Sequence, residues 1–335
     1  MLELDGSDGG GQLLRTALAL SALTGEAFTM RNVRGSRPDP GLKAQHAAAV
    51  WTVGRVCDAD VEGGSRESET VTFDPGPVEG GAVRVEVGTA GSVALVFDAL
   101  LPLAYALDAP LSATVVGGTD VRWAPTMAHH AEVKRRVVER LGLRYRDEVG
   151  RLGFYPAGGG EATLHLAPST ATPATLTDRG AFTGGTVYAY ATDDLEQASV
   201  AERLADTVRE AVPDLDSRAV YRPADSTGAA CCLRASFERS TTGFDALGEP
   251  GRSAEAVAGT VADAFEEFTA GEAAVDAETA DQVMVPLAVA GGAVAIPAVT
   301  DHVASNAEVI RAFGGSLDVE SAGGGSAVLR SDGNL

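Results

Sequence analysis

Lysine is almost absent from this chain of 335 residues. Lys43 and Lys134 are the only lysines among 26 basic residues, and 47 acidic residues bring the formal net charge to −21. A carboxylate-rich surface with little lysine is typical of proteins that stay soluble in molar salt, where surface charges are screened within a few ångströms. We therefore expect a halophilic protein. The alternative, an acidic protein that avoids nucleic acid, is disfavoured because several arginines fall in Gly- and Pro-rich stretches typical of site loops.

Cysteine is scarce, and long apolar runs are missing. Cys57, Cys231 and Cys232 are an odd number without metal-ligand spacing, so they indicate neither a disulfide framework nor a zinc site. The apolar runs are shorter than a membrane span, and the N-terminal MLELDGSDGG lacks the basic and apolar regions of a signal peptide. We expect a cytoplasmic protein with no membrane partner.

An internal repeat organises most of the chain. Three times a helix rich in small residues is followed by a second helix and a glycine-led strand. The three units comprise residues 12–23, 44–56 and 57–61; residues 93–106, 128–141 and 143–147; and residues 283–290, 306–313 and 316–319. This order predicts an α/β (α+β) fold of three βαβ-type repeats, each a helix pair on a small sheet.

The composition shifts between the second and third units. From about residue 176 to residue 275 the pattern predicts a small βαββα module. Its elements are strand 185–191, helix 196–211, strands 217–221 and 229–237, and helix 254–268. We therefore divide the chain into a repeat-containing catalytic domain, residues 1–175 and 276–335, and an inserted small domain, residues 176–275.

A glycine-rich turn over residues 5–11 links the first strand to the first helix. Free backbone N–H groups and the helix dipole would both favour a phosphate there, and Arg15 lies one turn into the helix. The turn is neither a P-loop nor a GxGxxG motif. A tight turn needed only for packing is an equally good interpretation.

The loop over residues 32–46 carries two arginines three residues apart. Pro and Gly stiffen it, so Arg34 and Arg37 suit a two-pronged grip on phosphate oxygens. Gln45 and His46 lie on the first turns of the following helix. The alternative, a solvated loop of charges, is less favoured.

His302 is the candidate nucleophile. It follows an apolar strand, residues 293–297, and precedes Ser305 and Asn306, which we expect to cap a helix over residues 307–313. A lone histidine is more often structural than catalytic. The arginine loop upstream favours the catalytic interpretation.

From end to end, the chain resembles the RNA 3′-terminal phosphate cyclases. The segments that carry the resemblance are LDGSDGGGQLLRTALALS, RPDPGLKAQHAAAV, GTAGSVALVFDALLPLA, GGTDVRWAP, GFYPAGGG, ALGEPGRSAE, ADQVMVPLAVAG and the segment around His302. The resemblance implies three repeats, each like the C-terminal domain of a translation initiation factor, and a small inserted domain.

The resemblance also implies an ATP-dependent reaction on RNA 3′ ends, with a divalent metal (Mg or Mn) and no stable protein partner. His302 would attack the α-phosphorus of ATP and release pyrophosphate. The AMP would then pass to the RNA 3′-phosphate, and the neighbouring 2′-hydroxyl would displace it to form a 2′,3′-cyclic phosphate.

Further site residues follow from the motifs of that family. The residues expected to bind the phosphates are Arg15, Arg34, Arg37, Gln45 and His46, with Asp281 and Gln282 near the nucleotide and Pro125 and Phe244 flanking adenine. Asp8 would bind the metal. Two departures are visible, because Asp8 stands where the family usually has Glu, and Glu278 falls where some members have an aromatic residue.

Two other functions are compatible with this fold. Cyclase-like proteins of ribosome assembly are scaffolds that lack the catalytic histidine, whereas His302 is present here. An enolpyruvyl transferase would need a basic site for a polyanionic carboxylate and no histidine nucleophile, and RPDPGLKAQH argues against it.

Overall fold

Four mixed sheets of four strands frame the protein, in a computed structural model that describes residues 1–323 and 325–335. The first unit contains β1 (Leu2–Asp5), α1 (Gly11–Thr24), β2 (Phe28–Arg31), α2 (Ala44–Val56), β3 (Asp60–Glu62) and β4 (Val71–Asp74). β1 and β2 pair in parallel, and β4 and β3 extend the sheet antiparallel. α1 ends at Gly25, whose left-handed backbone (φ 72°) suits glycine.

The second unit repeats this topology. It contains β5 (Gly81–Glu86), α3 (Val93–Leu100), β6 (Leu111–Gly117), α4 (Met127–His129), α5 (Arg135–Glu139), β7 (Arg144–Arg151) and β8 (Gly160–Ala167). The residues between α4 and α5, His130–Lys134, form a π-helical turn, so the predicted helix is continuous but locally widened. The sheet order β5-β6-β8-β7 matches that of the first sheet.

The third unit is interrupted by the insertion. It starts with β9 (Ala174–Leu176), upstream of the predicted first helix, and resumes only after residue 270. The inserted elements are β10 (Phe182–Thr192), α6 (Val200–Ala211), β11 (Leu215–Arg222), β12 (Ala229–Phe237), β13 (Thr241–Leu247) and α7 (Ala254–Ala270). β13 is a strand that the sequence pattern did not predict, and it pairs with β12 along seven residues.

The remaining elements of the third unit complete its sheet. They are α8 (Ala277–Gln282), α9 (Met284–Ala290), β14 (Gly292–Ile296), α10 (Asp301–Ala312), β15 (Asp318–Gly323) and β16 (Ser326–Ser331). β14 pairs in parallel with β9 and antiparallel with β16, so the order is β15-β16-β14-β9. The predicted α/β fold of three like repeats is confirmed.

One hydrophobic core runs through all three repeats, from Leu13 to Leu329. The inserted segment has a core of its own between its sheet and the helix pair α6 and α7, from Val187 to Ala273. Within the described residues, no helix is both long and apolar enough to cross a membrane. The repeats therefore form one packed body, and the elements at its edges position the site.

Candidate active site

The N-terminus of α1 faces the second helix of its own repeat. Among the described residues no side chain caps α1, so its first N–H groups stay available to an anion. A Cβ built on Gly11 would lie 2.0 Å from Nε2 of His46. Glycine at position 11 therefore allows the imidazole to approach the helix N-terminus directly.

His46 is a buried, neutral hydrogen-bond donor. Its ring is 5% exposed, and its Nδ1 accepts a hydrogen bond of 3.0 Å from the backbone N–H of Lys43. The neutral ring therefore carries its proton on Nε2, the atom facing Gly11. Burial, followed by the charges of Arg15, Arg34 and Lys43, lowers the pKa of His46 to about 3.

Arg15 supplies a cation on the same side. Burial lowers its pKa to about 10, and the carboxylate of Asp281 opposes that effect. At this pKa the guanidinium stays charged at neutral pH. Arg15 lines a small cavity whose other residues include Gln12, Asp98, Asp281, Gln282 and Asn306.

The two arginines of the predicted phosphate loop differ in their surroundings. Arg34 has a left-handed backbone (φ 58°), and its Nη1 donates to the carbonyls of Asp39 (2.8 Å) and Gly41 (2.9 Å). Arg34 therefore braces the loop, and its role in binding phosphate stays a prediction. Arg37 is exposed and lies near Gly10 of the glycine turn, so its role in binding phosphate stays a prediction.

Gln45 joins the first repeat to the second. Its Oε1 accepts a hydrogen bond of 2.9 Å from the backbone N–H of Ser92, which caps α3. The side-chain amide is thereby oriented, since its oxygen is used and its NH₂ group remains free to donate. A phosphate contact by Gln45 stays a prediction.

His302 lies inside a helix and not before one. Thr300 caps α10 by accepting from the N–H of Val303, so His302 occupies the second residue of the helix. The predicted cap at Ser305 and Asn306 is wrong, because Ser305 bonds back to the Asp301 carbonyl within the helix. Asn306 is buried and accepts from Thr16 of α1, which fixes α10 against α1.

The imidazole of His302 faces Asp281 of α8. Its Nδ1 lies 3.6 Å from Oδ2 of Asp281, slightly longer than a hydrogen bond, and its side chain is 48% exposed. An acceptor on the Nδ1 side favours the tautomer in which Nε2 has the free lone pair. Of the predicted residues, His302, Asp281, Arg15 and His46 thus form one continuous group.

A cleft of about 880 Å³ lies between the insertion and the third repeat, and its Glu278 is on the same helix, α8, as Asp281. Its lining includes Phe244, Asp245, Phe268, Glu278 and Pro297. Asp245 also accepts a 2.7 Å hydrogen bond from the N–H of Thr126, and Pro125 precedes Thr126. Pro125 and Phe244 thus belong to neighbouring segments of one wall, although their contact with adenine stays a prediction.

Sequence reasoning missed the buried pair of His129 and Asp276, which lies behind the cleft. Burial lowers the pKa of His129, but Asp276, whose Oδ1 lies 3.2 Å from Nε2, together with Glu278 and Asp245, raises it to about 9. Asp276 also accepts from Thr242, Gly243 and Thr279. It therefore links β13 of the insertion to α8. Its position as the N-cap of α8 was the available signal.

Glu278 and Gln282 are neighbours one turn apart on α8. Oε2 of Glu278 and Oε1 of Gln282 are buried without a hydrogen-bond partner among the described residues. Burial, followed by repulsion from Asp245, raises the pKa of Glu278 to about 8. Burial and Asp245 therefore favour the neutral form of Glu278, which keeps a negative charge out of the cleft.

Asp8, the predicted metal ligand, is exposed on the glycine turn. The described residues contain no group of three His, Cys, Asp or Glu side chains able to hold a metal ion. A single carboxylate still fits a magnesium-type ion, because Mg²⁺ is commonly bound by one or two carboxylates together with substrate phosphates. The metal role of Asp8 stays a prediction.

Comparison with known proteins identifies the relatives of this chain. The RNA 3′-terminal phosphate cyclase family matches residues 7–317. A protein of Halobacterium salinarum named RNA 3′-terminal phosphate cyclase is 47% identical over 337 residues, covering 97% of this chain and 98% of the relative. Proteins of the same name from Archaeoglobus fulgidus (95% and 97% covered) and Ralstonia nicotianae (93% and 91%) are 39% and 38% identical.

Proposed function

The chain belongs to the RNA 3′-terminal phosphate cyclase family, and we propose that it converts an RNA 3′-terminal phosphate into a 2′,3′-cyclic phosphate at the expense of ATP. The observation that carries the proposal is the arrangement of His302. Its half-exposed ring lies beside Asp281, which shares a small cavity with the Arg15 cation and a helix with Glu278 of the large cleft.

In the first step the Nε2 lone pair of His302 attacks the α-phosphorus of ATP. The bond between the α-phosphorus and the bridging oxygen breaks, and pyrophosphate leaves with its electrons. Asp281 stabilises the positive charge that forms on the ring. Arg15, the Nε2–H of His46 and the N-terminus of α1 stabilise the growing negative charge on the phosphates.

In the second step an oxygen of the RNA 3′-phosphate attacks the same phosphorus. The P–N bond breaks, and its electrons return to a neutral His302. In the third step the 2′-hydroxyl oxygen attacks the 3′-phosphorus, AMP leaves, and the hydroxyl proton is released. A divalent metal held by Asp8 and phosphate oxygens would neutralise charge on the triphosphate.

The test is a covalent adduct formed without RNA. The purified protein, incubated with α-labelled ATP and Mg²⁺ in molar KCl, should acquire an acid-labile, alkali-stable AMP label, as a phosphoramidate does. His302→Asn should abolish the label, because Asn lacks the nucleophilic nitrogen. Glu308→Gln, on the same helix, is the control and should label normally.

Two outcomes contradict this mechanism. A label that survives His302→Asn, or AMP located on Lys43 or Lys134 by mass spectrometry, would exclude His302 as the nucleophile. Failure of the wild-type protein to label, or to cyclise a 3′-phosphorylated oligonucleotide, would favour a non-catalytic scaffold of ribosome assembly.

A further inference from the structure

Trp123 is the most exposed large apolar side chain of the described residues. Its side chain is 94% exposed, and its backbone is left-handed with φ 63°. It lies on the segment between β6 and α4, next to the loop that follows β7 and carries Tyr155, which is 78% exposed. These two aromatic residues have no role in the chemistry described above.

The conformation of Trp123 destabilises the fold without compensation from burial. A residue with a Cβ is disfavoured in the left-handed region, where glycine fits without strain. An indole in water also forgoes the burial through which tryptophan normally stabilises a protein. Strain of this kind at a residue that packs against nothing points to a function outside the fold.

The backbone of the segment that carries Trp123 is tethered on both sides. On one side, the N–H groups of Thr119 and Asp120 donate to the carbonyl of Gly153 (2.9 and 3.2 Å). On the other side, Thr126 donates to Asp245 at 2.7 Å and caps α4. Trp123 is therefore presented on a tethered segment, and the bonds to Gly153 tie that segment to the loop of Tyr155.

Both aromatic loops border the proposed reaction site. Trp123 is two residues from Pro125, and the Thr126–Asp245 bond attaches its loop to the wall of the cleft. In the Tyr155 loop, Gly158 packs against the backbone of Thr89 and Ala90. That turn continues to Ser92, which donates to Gln45. Both aromatic loops are therefore tied to segments that carry predicted site residues.

We propose that Trp123, with Tyr155 on the loop tied to its segment, is a stacking platform for an unpaired base near the 3′ end of the RNA. The inference rests on the proposed function, because it assumes RNA as the substrate. Single-stranded RNA is commonly held by aromatic side chains stacked on its bases. Two separate aromatic side chains at the edge of a reaction cleft fit this use better than a protein partner, which would need a contiguous apolar patch.

The charge of the protein favours binding of RNA by such a platform. Contacts between basic residues and phosphates lose strength as salt rises, because counterion release becomes less favourable. This chain has few basic residues against 47 acidic ones, and one of them near the platform, Arg122, is paired with Glu249 at 2.9 Å. Stacking depends little on ionic strength, so it can hold RNA where phosphate contacts are weak.

The test uses the two tryptophans of the chain as a matched pair. Trp123→Ala should raise the KM for a 3′-phosphorylated oligonucleotide by about 5- to 150-fold, the range that loss of base stacking gives, in molar KCl. Its kcat at saturating RNA, and the AMP label formed with ATP alone, should stay at the wild-type level. Trp51→Ala, on α2 and 54% exposed, should change none of these values.

Two further measurements separate stacking from a structural role. Trp123→Gly removes the strain together with the indole, so it should keep or raise the melting temperature and still raise the KM. Trp123→Phe should recover most of the affinity. An oligonucleotide with an abasic residue at the stacked position should bind the wild type as weakly as an intact oligonucleotide binds Trp123→Ala, and the two losses should not add.

The outcomes distinguish this inference from the proposed function. If the wild type neither labels with AMP nor cyclises RNA, the proposed function fails, and the platform fails with it. If the wild type cyclises RNA and both Trp123→Ala and Trp51→Ala have the wild-type KM for RNA, only the platform is refuted. The exposed indole would then be interpreted as a contact for a protein partner. A melting temperature lowered equally in Trp123→Ala and Trp123→Gly would refute it in favour of a structural role.

Discussion

Glu278 makes the stability of this protein depend on pH in a direction that can be stated in advance. Its carboxyl group has a pKa of about 8, raised from 4.5 by burial and by Asp245. In the unfolded chain it would ionise near pH 4.5. Between these values the folded state binds a proton that the unfolded state has lost, so stability falls as pH rises from about 4.5 to about 8.

Glu278→Gln removes this dependence, because glutamine is neutral at every pH. If the folded and unfolded states differed by one proton over the whole interval between pH 4.5 and pH 8, the free energy of unfolding would fall by about 5 kcal/mol, since each pH unit contributes about 1.36 kcal/mol. Asp245, Asp276 and Asp281 raise the pKa of Glu278 further, whereas the positively charged His129 lowers it. Because these groups titrate together, part of the shift belongs to the cluster and not to Glu278 alone. We therefore expect the variant to gain about 2 kcal/mol over the wild type between pH 5 and pH 8.5.

The assay is urea unfolding of both proteins in molar KCl at about pH 5 and about pH 8.5. The control is Glu272→Gln, an exposed carboxylate of the same cleft, whose effect on stability should be the same at both pH values.

The affinity for ATP is an independent measurement, because an ionised Glu278 would add a negative charge beside the nucleotide. The wild-type Kd should rise above pH 8 and that of the variant should not. A stability difference equal at both pH values would refute the reasoning.

Two further predictions concern the phosphate side. Arg34→Ala should destabilise the fold by about 1–3 kcal/mol in urea unfolding, because it leaves the carbonyls of Asp39 and Gly41 without their donor. Arg37→Ala should keep the wild-type stability and weaken ATP binding. Equal losses of stability in the two variants would contradict this distinction. Gly11→Ala should displace the buried His46 ring, weaken ATP binding at least tenfold and lower the melting temperature. Both effects should be smaller when the substitution is made in a protein that already carries His46→Ala. If Gly11→Ala changes neither ATP binding nor the melting temperature, the close approach of His46 to Gly11 is refuted.

The repeats could be predicted from the sequence because each unit carries its own helix and strand pattern. Residues that are close in the chain set those patterns, as in α1, where small and apolar residues precede Gly25. β9 and β13 could not be predicted in the same way. β9 has three residues, and it is defined by parallel pairing with β14, more than a hundred residues away. β13 alternates little and is held by β12 and Asp276.

The site shows the same division. His302, Arg15 and His46 stand out by residue type and by the motifs around them, and they lie together in the structure. Glu278 and His129 are different, because their protonation depends on which carboxylates the fold places around them. Asp245 comes from the insertion and Asp276 from the third repeat. The order of residues in the sequence does not show that these carboxylates approach Glu278 and His129. The pKa of Glu278 therefore depends on the fold and could not be predicted from the sequence.

The placement of the basic residues reconciles an acidic protein with an anionic substrate. In molar salt an exposed arginine attracts a phosphate only within about 3 Å, whereas a buried charge is screened much less. Arg15 lies against Asp281 in a small cavity, and His46 donates from beneath the first turn of α1. The phosphate donors that we propose are therefore mostly buried groups and helix N–H groups, whose charges salt screens poorly. Apart from Arg37, the proposed phosphate donors thus leave most of the outer surface to carboxylates.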